Sequence, residues 1–214
     1  MKVVSVNVGL PREVVWKGIT VQTAIFKEPV ATMVAIRKLN LTGDQQADLT
    51  VHGGAEKAVY AYPVEHYEYW RRQLQDVPLS WGAFGENLTT EGLGEDTLCV
   101  GDLLRVGSAV LQVTQPRMPC YKLELRFNRD DMIKRFLASG RSGFYFSVIE
   151  PGDVGVESKI EVLNRDPEGV TVRDILRLYL GRTRDPKLLQ RATNISALPQ
   201  NWRTQLLLSA QTRV

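Results

Sequence analysis

Between Val113 and Leu123 the chain reads VTQPRMPCYKL, and its two prolines narrow what can be built around it. Val110, Leu111, Val113 and Thr114 favour extended backbone, so a strand leads into the segment. Pro116 and Pro119 then forbid regular helix or central-strand pairing, which stiffens the chain where it presents a thiol. Cys120 follows Pro119 and is flanked by Arg117 and Lys122, two cations that favour the thiolate. A thiolate is the nucleophilic form of cysteine and the form that ligates soft metals. The plainer alternative is a structural cysteine beside a proline turn.

A chain of 214 residues can bury a substantial core, as one large domain or as one domain with a small appendage. Its hydrophobic fraction of 43% is ordinary for a globular protein, and no apolar run approaches the length of a bilayer crossing. The opening MKVVSVNVGLPREVVWKG is broken by Asn7, Gly9, Pro11 and charges before a signal-peptide core develops, so a cytoplasmic protein without a membrane partner is expected. Two cysteines, Cys99 and Cys120, allow one disulfide but no disulfide framework and no CxxC zinc site. Cys99, in TLCVGDLLRVG, reads as a small core residue.

The net charge of +3 is unevenly placed. From Arg165 onward nine Arg or Lys stand against four Asp or Glu, a balance of +5, which leaves −2 for residues 1–164. A basic tail can meet an anionic partner, but arginines on short helices more often form a solvated face, and nucleic-acid binding is not expected.

The pattern of elements is α+β. KVVSVNVG alternates as a strand, and AIFKEPV and TMVAIRKLNL read as β-branched strands. Pro63 opens a helix over VEHYEYWRRQL, with Tyr67 and Trp70 facing the core and His66 given no catalytic role. Glycine-punctuated strands fill residues 83–116, and Gly101–Asp102 forms a tight turn. A helix is predicted over Asn128 to Ala138; strands return from Gly143, with PGDVG as a hairpin. After the DPEG turn, Thr171 and Asp174 stand in capping-box spacing, Asp185-Pro186 starts a second helix and Pro199 a third. The predicted division is a β-rich domain over 1–164 and a three-helix domain over 165–214.

Two further stretches carry candidate site residues. In VHGGAEKAVYAYP, Gly53 and Gly54 allow backbone amides to approach a ligand and Lys57 adds a cation, which suits an anion-binding turn; a plain glycine turn is the alternative. His52 could serve as acid, base or ligand, or simply be hydrogen-bonded. In GENL, Glu86 and Asn87 offer an acceptor and an amide for a polar heterocycle, or else cap a turn.

The ordered set VHGGAEKAVYAYP, GAFGENLTTEGL, VGDLLRVGSAVLQVTQPRMPCYKL and GFYFSVIEPGDV resembles the MOSC domain, the module shared with molybdenum cofactor sulfurases and amidoxime-reducing enzymes. With TVRDILRLY and LPQNWRTQLL behind it, nearly the whole chain resembles the YiiM type, which pairs that domain with a three-helix tail. The resemblance implies a β-barrel-like fold, with Cys120 matching the signature cysteine that ligates molybdenum held by a pterin dithiolene. It also implies that Arg117 and the segments holding His52, Gly53, Gly54, Lys57, Glu86 and Asn87 line the pocket of a molybdenum cofactor (molybdopterin). The implied reaction is two-electron reduction of small N-hydroxylated compounds such as 6-hydroxylaminopurine-type bases. No GxGxxG follows a strand and no iron–sulfur cysteine spacing is present, so the electrons are expected from a partner reductase, a flavoprotein by implication.

Other readings stay open on the sequence alone. Cys120 could carry a persulfide or hand on the cofactor, or act with His52 as a cysteine hydrolase. The helical tail could dock a reductase, pair two copies as a homodimer, or be purely structural.

Overall fold

The computed structural model describes residues 1–47 and 53–211. In chain order the strands are β1 (Lys2–Val8), β2 (Arg12–Trp16), β3 (Ile19–Thr23), β4 (Glu28–Val30), β5 (Val34–Ile36) and β6 (Val59–Pro63). They continue with β7 (Leu88–Glu91), β8 (Leu103–Val106), β9 (Ala109–Pro116), β10 (Phe144–Glu150), β11 (Gly152–Val154) and β12 (Ile160–Asn164). The helices are α1 (Glu65–Gln73), α2 (Tyr121–Phe127), α3 (Met132–Ser139), α4 (Val172–Tyr179), α5 (Pro186–Asn194) and α6 (Gln200–Gln211).

Eight strands form one sheet in the order β12-β8-β9-β10-β6-β7-β1-β4. All its pairings are antiparallel except β6 with β7, which run parallel because α1 carries the chain back between them. The strand order does not close into a barrel, but the chain entering β12 folds back onto β1. A bridge joins Lys2 to Lys159, and the Val3 amide donates to the Ser158 carbonyl at 2.9 Å. The expected barrel-like fold is therefore present as a large curled sheet.

Three local expectations are revised. The PGDVG segment is not a hairpin: β11 leaves the main sheet and pairs with β5, Val154 opposite Val34. A hairpin absent from the sequence reading joins β2 to β3, and its turn places both Lys17 (φ 51°) and Gly18 (φ 78°) in the left-handed region. Pro63 ends β6 instead of opening the helix, which starts one residue after Val64.

Two buried clusters hold the molecule together. One lies within the sheet and takes in Val172, Ile175, Ile195, Leu198, Trp202 and Leu206, so the C-terminal helices share their core with the strands. Their starts follow the predicted caps: the Thr171 hydroxyl accepts from the Asp174 amide at 3.1 Å, and the Asp185 carboxylate accepts from Lys187 N at 2.9 Å. The second cluster is aromatic, with Tyr62 stacked on Phe84 at 4.6 Å and the Trp70 indole donating to the Tyr62 hydroxyl at 2.7 Å. Packed by α1, α2 and α3, it backs the sheet behind the cysteine segment.

At the start of β10, Gly143 sits at φ 61°, and a side chain there would come within 2.5 Å of the Ala61 carbonyl. Only glycine allows β10 and β6 to approach as they do. That close pairing sets Tyr145 opposite Tyr60.

Candidate functional site

β9 ends at Pro116, and four residues later Cys120 takes the N-cap position of α2 in extended conformation (φ −127°, ψ 175°). The thiol is thus fixed between the end of a central strand and the first turn of a helix. α2 is absent from the sequence reading. Its buried Leu123, Leu125 and Phe127 recur every second residue, the period of a strand, and it is closed by Asn128 in the left-handed conformation (φ 49°).

Two depressions meet at Cys120. The inner one is a cavity of about 100 Å³ and the outer a cleft of about 380 Å³; both are lined by Lys57, Met118, Cys120 and Tyr145. Around the inner cavity Lys27, Lys57, Arg117 and Lys122 face Asp44, the one carboxylate among the described lining residues. Asp44 is already engaged: it pairs with Lys27 and accepts from the Gly9 amide at 2.8 Å. The cavity is strongly cationic.

Arg117 is only 6% exposed, and its Nη1 has no hydrogen-bond partner among the described residues. Its guanidinium lies 5.2 Å from the Tyr60 ring centre and 5.1 Å from that of Phe136, held by aromatic faces rather than by a carboxylate. A buried donor without an acceptor costs about 1–3 kcal/mol, a cost that an acceptor entering the cavity would offset. Lys57 is half-buried, and burial pulls its ammonium pKa below the ordinary lysine value against the opposing pull of Glu56. Burial pushes the Tyr145 phenol up, although Arg117 opposes it, so the hydroxyl stays protonated at neutral pH.

The other sequence candidates fall into place unequally. Asn87 lines the cavity, but its amide is engaged within the protein: Oδ1 accepts from Tyr60 N at 3.1 Å and Nδ2 donates to Asp44 Oδ2 at 2.8 Å. Glu86 is not part of the lining. Its fully buried carboxylate accepts from the Tyr67 hydroxyl, from Gly82 N at 2.9 Å and from Thr89 Oγ1 at 3.0 Å. Gly53 and Gly54 also lie outside both linings; Gly54 (φ 99°) leads the short 3-10 turn Ala55–Lys57, and its carbonyl accepts from Lys57 N at 3.0 Å, which sets the lysine's backbone. His52 lies outside the described residues. Cys99 and Cys120 form no disulfide.

Sequence reasoning missed Lys27, Asp44, Tyr60 and Tyr145. The two tyrosines had a signal, since YAY and FYF are strand patterns that end up in register. Lys27 and Asp44 had none, because only the folded chain brings them together. It also missed that α4 and α6 reach the cleft with Tyr179 and Trp202. Among the described residues no group of three or more His, Cys, Asp or Glu could hold a metal ion, so a metal at Cys120 would bring most of its ligands with it. No helix among the described residues is long and apolar enough to cross a membrane.

Comparison with known proteins agrees with this architecture. The MOSC domain model matches residues 48–161, and the model described as "YiiM-like, 3-alpha helix domain" matches residues 170–207. The chain is 40% identical to the uncharacterized protein YflK of Bacillus subtilis, over 96% of this chain and 92% of that one. It is 32% identical to a protein of Gibberella moniliformis named "Reductase", over 83% of this chain and 32% of the fungal one. The crystal structure of YiiM from Geobacillus stearothermophilus superposes with a TM-score of 0.80 at 33% identity, over 98% of each chain. The fold is that of a MOSC-domain protein, and with its three C-terminal helices the chain belongs to the YiiM-like branch of that family.

Proposed function

We propose that the chain is an oxidoreductase that holds a molybdenum cofactor through Cys120 and reduces small N-hydroxylated compounds with electrons from a separate reductase. The observation that carries this reading is the buried, unpartnered Nη1 of Arg117 in a cationic cavity that opens at Cys120. The residues present fit such a group. Its phosphate requires cations and N–H donors, which Arg117, Lys122 and Lys57 supply. Its metal would carry its own sulfur ligands and need one soft protein donor, and Cys120 is the thiol that lines both depressions. The fungal relative's name, "Reductase", supports the class of reaction.

When bound, the cofactor supplies the two-electron chemistry. The chain's own residues do the rest. Reducing an N-hydroxyl to an amine takes up two electrons and two protons and releases water, so proton donors must stand beside the metal position. Lys57 Nζ and the Tyr145 hydroxyl belong to the two side chains that line both depressions together with Cys120 and bear such protons. Burial shifts the two in opposite directions, lowering the Lys57 ammonium and raising the Tyr145 phenol, which favours Lys57 as the donor. The rings of Tyr60, Tyr145 and Phe136 around Arg117 keep water from its guanidinium and strengthen its attraction for an anion.

The test is the molybdenum and pterin content of protein purified from a cofactor-replete host, beside a Cys120→Ala variant. Near-stoichiometric metal in the wild type and its loss in the variant are expected. A wild type that takes up neither metal nor pterin, even when supplied with free cofactor, sinks the reading.

A further inference from the structure

The outer cleft differs from the inner cavity in a way that points to what it binds. Among its described lining residues Lys57 is the one charged side chain, and it stands at the junction with the cavity. Beside Cys120, Met118 and the two prolines, the walls are amides and rings: Gln115, Asn201 and Gln205 with Tyr145, Tyr179 and Trp202. Asn201 and Gln205 are one helical turn apart, so both amides project from the same side of α6. Trp202 is buried in the main core and packs its ring on Tyr179 at 4.7 Å, which fixes the height of that turn above the cleft. Asn201 is further held by accepting from the Trp202 amide at 2.9 Å. Amides present paired donors and acceptors without charge, and aromatic walls suit flat molecules.

We propose that α6 is the substrate wall of the site: Asn201 and Gln205 hydrogen-bond an uncharged, flat compound lying against Trp202 and Tyr179, with its reactive group directed at Cys120. The three-helix segment thereby contributes two of the cleft's three amide side chains and so takes part in setting specificity, beside Gln115 of β9. Only the chemistry at Cys120 rests on the function proposed above; the binding does not.

The probes are benzamidoxime, which is uncharged, and 4-carboxybenzamidoxime, its anionic counterpart, with reduced methyl viologen as electron donor to the cofactor-loaded protein. Gln205→Leu and Asn201→Leu, both at exposed positions, are expected to raise KM for benzamidoxime about five- to tenfold while kcat and molybdenum content hold. The carboxylate analogue is expected to be the poorer substrate of the wild type. Unchanged KM in both variants, with turnover intact, overturns the role of α6 and leaves the proposed function standing. If the wild type turns over neither probe, titrating protein fluorescence with benzamidoxime decides: quenching that disappears in Trp202→Phe supports the wall, and no quenching in the wild type overturns it.

Discussion

The imidazole Nε2 of His66 lies 2.9 Å from one carboxylate oxygen of Glu95 and 2.8 Å from the other, and both side chains are largely buried. The same carboxylate accepts the Gly143 amide at 2.7 Å, and the Gly143 carbonyl accepts from Arg117 N at 3.4 Å. A histidine with no place in the cleft therefore braces, through Glu95 and Gly143, the backbone of the residue that carries the cavity's unpartnered Nη1.

This brace makes stability depend on acid in a defined direction. Burial opposes ionisation of Glu95, but the hydrogen bonds from His66 and Gly143 outweigh it and hold the carboxyl below its ordinary value of 4.5. A carboxyl lowered on folding stabilises the protein above its unfolded pKa and loses that contribution as pH falls through the folded one. Glu95→Gln is expected to cost about 1.5–3 kcal/mol in urea unfolding at pH 7, with the difference from wild type shrinking below about pH 4.5. A difference that is the same at both pH values would contradict the brace.

Arg117 should bind an anion even without the cofactor. Inorganic phosphate at a hundred times its Kd is expected to raise the unfolding free energy of the metal-free protein by about 2.7 kcal/mol. Arg117→Met should abolish most of that gain while changing the phosphate-free stability little, because the buried guanidinium it removes has an Nη1 without an acceptor among the described residues. Equal phosphate stabilisation in the two proteins would show that the anion binds elsewhere.

Asn87 is expected to behave as a structural residue. Asn87→Leu takes the acceptor from Tyr60 N and a donor from the Asp44 carboxylate, both in the interior. The expected loss is about 1–3 kcal/mol, read by chemical denaturation of the metal-free protein. A variant as stable as wild type, with weakened pterin uptake, would instead return Asn87 to direct cofactor recognition.

Much of the local structure was legible because it depends on neighbours in the chain. Thr171 with Asp174 and Asp185 with Pro186 set the starts of α4 and α5, since a cap needs only the amides two or three residues ahead. The strand into Pro116 followed from the extended preference of Val110, Leu111, Val113 and Thr114, but Pro116, expected to forbid central-strand pairing, closes the central strand β9 opposite Phe144. Where local signals conflicted, the fold chose. The alternation of Leu123, Leu125 and Phe127 suits a strand, yet the segment is helical, with Leu123 and Phe127 packed into the aromatic cluster.

The sequence by itself determined the thiol, the cations on either side of it and the order of elements that carries them. Only the tertiary structure decided which distant side chains share its space. Lys27 and Asp44 reach the cavity through loops, and Glu86, which looked equally suited, turns its carboxylate to the amides and hydroxyls behind the sheet. Trp202 arrives from the far end of the chain because the helices must bury their apolar faces against the sheet. Such meetings depend on which surfaces the whole chain can bury at once, and hydrophobic burial carries no address that a short stretch of sequence could spell.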